Sequence, residues 1–124
     1  FKVREVALLR SRLRHAKPWT HNILQMIRDL LDIKMNDGSR HFVDMPEVVF
    51  FDELADHVEQ LDGAEITEFI TDGVVEMWLD FEYRGHKFSV NNQLGDFWFF
   101  VENPDCPEEI LLEIIDHFRQ LLER

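Results

Sequence analysis

Apolar positions recur at spacings of three and four along the first part of the chain and at spacings of two further on, so the expected elements change type midway. Val3, Val6, Leu9 and Leu13 predict a helix over residues 2 to 16, and Pro18 stops it. Thr20 is a good N-cap for a second helix whose stripe is Ile23, Leu24, Ile27, Leu30 and Leu31, with Asn36-Asp37-Gly38 read as its end. Arg40 to Val43 fits a short strand. Phe51, Leu54, Ala55, Val58 and Leu61 fit a helix that stops at Asp62-Gly63, although Val48 to Phe51 also fits a buried strand.

From residue 64 the period becomes two, the pattern of a half-buried sheet. Asp72-Gly73 reads as a hairpin turn, and Val75, Met77, Leu79, Phe81 and Tyr83 then alternate with Glu76, Trp78, Asp80 and Glu82. Arg84-Gly85 makes a second turn, Phe88 and Val90 mark a third strand, and Phe97 to Val101 a fourth beyond the loop 91 to 96. Asp105, with Glu108 three residues on, reads as the cap of a final helix whose apolar face runs from Ile110 to Leu122. The expected fold is α+β: a helical N-terminal half, a four-stranded antiparallel meander and a closing C-terminal helix packed on the sheet. One domain is expected over 1–124, divided into a basic helical arm (1–17), a helical region (20–62), the sheet (64–101) and the last helix (105–123).

Composition fits a single globular domain. Eleven Phe and three Trp among 124 residues set the chain apart from disordered sequences. The longest apolar runs are far short of the roughly 18 residues that a membrane span requires. The single cysteine, Cys106, rules out an internal disulfide and is compatible with a reducing cytoplasm. Because the chain starts at Phe1, processing or excision from a longer protein is expected.

The net charge of −12 is unevenly placed. Residues 1 to 34 hold eight basic residues and three acids, net +5; residues 35 to 124 hold five and 22, net −17. The basic arm has three readings: it folds on the acidic body, reaches an anionic partner, or links to a longer chain. The acidic body repels phosphates, so no nucleic-acid partner is expected, and the acids flanking Phe97 to Phe100 oppose base stacking there. A basic protein partner, or self-association, fits better.

Constellations for chemistry are sparse. The five glycines are dispersed, so there is no phosphate loop, and no serine sits in a nucleophile elbow. Glu53/His57 and Glu113/His117 stand at i, i+4, where dinuclear carboxylate bundles use i, i+3; both pairs read as surface Glu–His contacts, so no metal or other cofactor is expected. Cys106 near a helix start is a conceivable nucleophile, but Asp105, Glu108 and Glu109 disfavour its thiolate. The more informative feature is the second face of the sheet, where Glu76, Trp78, Asp80 and Glu82 join Trp98 and Phe100. Aromatic side chains mixed with carboxylates suit a partner surface. Helices over Trp98 and Phe100 would leave only the acids in water.

The element order with this acidity resembles small bacterial immunity proteins and secretion chaperones in fold and charge. The resemblance implies a non-enzymatic cytoplasmic domain that binds a protein partner. The alternative expectation is a small enzyme or ligand-binding domain with a pocket between sheet and helices, using His41, His86, Cys106 and Glu113.

Overall fold

The alternation of Met77, Leu79, Phe81 and Tyr83 with Trp78, Asp80 and Glu82 is the spine of the molecule. In a computed structural model that describes residues 27–72 and 75–123, these residues form one strand of a six-stranded antiparallel sheet. The strands are β1 (Ile33–Lys34), β2 (Arg40–Met45), β3 (Glu65–Thr71), β4 (Met77–Tyr83), β5 (His86–Asn91) and β6 (Phe97–Val101), in the order β1-β2-β6-β5-β4-β3. Two helices lying wholly within the described residues accompany them, α1 (Phe51–Glu59) and α2 (Glu108–Leu122). The class is α+β. The expectation of a helical N-terminal half with four strands is corrected: β1 and β2 extend the sheet, and α1 carries the chain from β2 to β3 at the far edge.

Two local signals produced that error. Leu30-Leu31-Asp32-Ile33 continues a helical stripe, yet helix ends at residue 29, and Ile33 and Lys34 pair with His41 and Arg40. Asn36-Asp37-Gly38, read as a helix stop, lies in the β1–β2 turn, where Asp37 Oδ1 accepts from the Ser39 amide and hydroxyl. β2 lies between β1 and β6 and bulges between His41 and Val43, so four buried residues run together and no period of two survives. The expected helix over 2–16 and the arm 1–17 lie outside the described residues.

The inner face of the sheet carries the core. Phe81, Phe88 and Phe99 meet Phe42 from β2 and Phe118 from α2, with Phe99 and Phe118 centroids 4.9 Å apart. Each fully buried ring contributes about 2 kcal/mol through burial. Ile110, Leu111, Ile114 and Ile115 bring the apolar face of α2 into the same cluster, and Leu54 and Val58 do so for α1. The α2 N-cap is Pro107 with no side-chain cap, so Asp105 does not close a capping box; its amide instead donates to Asn103 Oδ1 in the preceding turn. The Arg84-Gly85 hairpin forms as expected, both residues having positive φ.

Candidate functional site

The outer face is best described in rows across the strands. One row runs Ile70, Trp78, Asn91, Trp98 and Asp44; the next runs Glu68, Asp80, Ser89, Phe100 and His41; the third sets Glu65 opposite Glu82 and Glu82 opposite Lys87. Trp78, Asp80, Glu82, Trp98 and Phe100 therefore share this face, as their alternation implies, and all five are half-buried. Glu76 does not join them in the sheet. It lies exposed in the β3–β4 turn, where its amide donates to Asp72 Oδ1 and its carbonyl accepts from Thr71 Oγ1.

The face divides by chemistry. Over β6 and β2 it is aromatic: His41 stacks on Trp98 at 4.2 Å and lies 5.2 Å from Phe100. His41 is 1% exposed, and among the described residues neither ring nitrogen makes a hydrogen bond of good geometry. Burial holds its pKa below the ordinary imidazole value, against the pull of Asp44 and of the Val43 backbone. Over β3 and β4 the face is acidic. Glu65 stands opposite Glu82 and Glu68 opposite Asp80, two like-charged cross-strand pairs that oppose folding. Lys87 is the cation set beside them, opposite Glu82. An open groove of about 900 Å³ follows this face, bordered by Trp78, Asp80, Glu82, Phe100 and the β1–β2 turn.

Glu65, Glu68 and Ile70 were not singled out from the sequence. The bulge between Ile66 and Glu68 breaks the period of β3, and its register against β4 is what reveals the opposed carboxylates.

Of the residues of the alternative pocket reading, His86 stands opposite Tyr83 in the β4–β5 pair, the residue that also bonds Glu113, while His41 and Cys106 lie apart from them. His41 lies on the outer face and Cys106 is fully buried with its thiol 3.7 Å from the Pro107 carbonyl. Glu113 accepts from the Tyr83 hydroxyl at 3.2 Å and from Arg84 at 2.7 Å, and burial with the adjacent carboxylate pushes the Tyr83 phenol up. His57 and His117 are not surface partners of Glu53 and Glu113. Their rings stack at 3.9 Å between α1 and α2, and each Nε2 donates to the other's backbone carbonyl. Among the described residues no three His, Cys, Asp or Glu side chains are grouped to hold a metal, and no helix is long and apolar enough to cross a membrane.

Comparison with family models, curated proteins and solved structures returns no match.

Proposed function

We propose that this is a non-enzymatic interaction domain that binds a basic protein partner through the outer face of its sheet. The observation that carries the reading is the pair of opposed carboxylates, Glu65/Glu82 and Glu68/Asp80, beside half-buried Trp78 and Phe100. Like charges directly across a ladder cost stability. A cationic partner turns that cost into attraction, and indole and phenyl rings supply contact area with little entropy loss. The net charge of −17 over residues 35 to 124 steers such a partner toward the domain. Cytoplasmic placement belongs to the same proposal.

The test is affinity capture from lysate of the producing cells, using wild type and a Trp78→Ala/Asp80→Asn variant whose circular dichroism matches wild type. The reading expects one or more proteins, rich in Lys and Arg at the contact, held by wild type and lost by the variant. Equal retention by both would refute it.

A further inference from the structure

Among the described residues β3 is the terminal strand of the sheet, and all of it but the half-buried Ile66 is exposed: Phe69 is 38% exposed and Ile70 51%. A terminal strand presents a row of backbone donors and acceptors to any extended chain. Its two faces offer different surroundings. On the outer side lie Glu65 and Glu68, each already opposed by another carboxylate. On the inner side Phe69 and Thr71 border an open groove of about 810 Å³ shared with Val48, Phe50 and Phe51. Phe50 is 78% exposed there, and Glu47, Asp52 and Glu53 rim the groove.

We propose that the partner adds an extended strand to β3, placing Lys or Arg over the outer carboxylates and apolar side chains, at alternate positions, into the groove by Phe50 and Phe69. This rests on the basic-partner reading and specifies its form. Successive residues of a strand point to opposite faces, so one alternating cationic–apolar segment satisfies both sides of β3 at once. Charge selects against a second copy of the chain. Antiparallel self-pairing centred on Glu68 would set it against its own copy, on bodies that each carry −17 over residues 35 to 124. The same carboxylates admit a cationic strand.

The probe is an acetylated, amidated peptide alternating Lys and Val over eight residues. It is compared with its Glu-for-Lys counterpart and with a Lys peptide in which two central Val are replaced by Pro, which removes strand donors and keeps the charge. Binding and its location are followed by amide shifts and hydrogen exchange of the whole chain. The proposal expects the Lys/Val peptide to shift and protect the β3 amides, the Pro peptide to bind about tenfold more weakly, and the Glu peptide not to bind. Glu65→Lys/Glu68→Lys, with the fold checked by thermal melting, reverses the peptide preference. Phe50→Ser, an exposed site, weakens the Lys/Val peptide. Equal binding of the Lys/Val and Pro peptides, or shifts confined to Trp78 and Phe100, overturns strand addition and leaves the basic-partner reading standing. No binding by either Lys peptide overturns both.

Discussion

His57 and His117 hold α1 to α2 by a reciprocal exchange: each Nε2 donates to the other residue's carbonyl, at 2.6 and 2.5 Å, with the rings stacked. Because both acceptors are carbonyls, each ring places an N–H at Nε2. His57→Ala removes one bond and the stack and leaves the His117 carbonyl short of a partner. The expected loss is about 2 kcal/mol in urea unfolding, with the same slope as wild type.

Acid should weaken the fold. Burial, the largest cause, lowers His117, and the neighbouring His57 adds to it against the pull of Asp116 and of the His57 backbone; burial likewise lowers His41. A folded-state pKa below the unfolded value of 6.5 means that stability is fully present above that pH and is lost as pH falls through the folded value. Melting temperature should therefore hold from pH 8 to 7 and drop below 6.5. In His117→Gln, which keeps an N–H donor and removes the titration, the drop should be smaller. An identical profile would show that His117 does not contribute to it.

Asn92 ties three segments together. Its carbonyl accepts from the Met77 amide at 3.0 Å, and its amide donates to the Val75 carbonyl at 2.6 Å and to Glu47 at 2.9 Å. It is buried, so Asn92→Asp turns two donor contacts into an acceptor facing a carbonyl and a carboxylate. The expected cost is about 3 kcal/mol, against about 2 for Asn92→Ala, read from denaturation midpoints.

Relieving the like charges should stabilise the domain. Glu68→Gln and Glu82→Gln each remove one opposed pair with Asp80 or Glu65. Their combination should raise stability by about 1 kcal/mol at low salt and by less at 1 M salt, because these charges are in reach of solvent ions. A decrease in stability would mean that the carboxylates serve the fold and not a partner.

The sequence made the half of the fold that repeats cleanly easy to read. β4, β5, β6 and the helices α1 and α2 follow their periods, and Arg84-Gly85 sets the hairpin that the alternation demands. Lys87 pairing with Glu82 follows from that turn. Ile33 and Lys34 were hidden because two residues carry no period; the strand read at Arg40 to Val43 is there as β2, but its place in the sheet was not legible, because the bulge between His41 and Val43 and four buried residues in a row erase its alternation. The site shows the same division. Trp78, Asp80, Glu82, Trp98 and Phe100 were legible as one face from alternation alone. Glu65 and Glu68 became visible only through a pairing register that the β3 bulge conceals, and the His57–His117 exchange only through the meeting of two helices 60 residues apart.

The most direct test is the affinity of the alternating Lys/Val peptide for wild type and for Glu68→Gln/Glu82→Gln, measured by calorimetric titration at one salt concentration. The account predicts binding about tenfold weaker in the variant, since two carboxylates that face the cationic side chains are neutralised. Equal affinity would contradict the claim that these opposed charges are there for a basic partner.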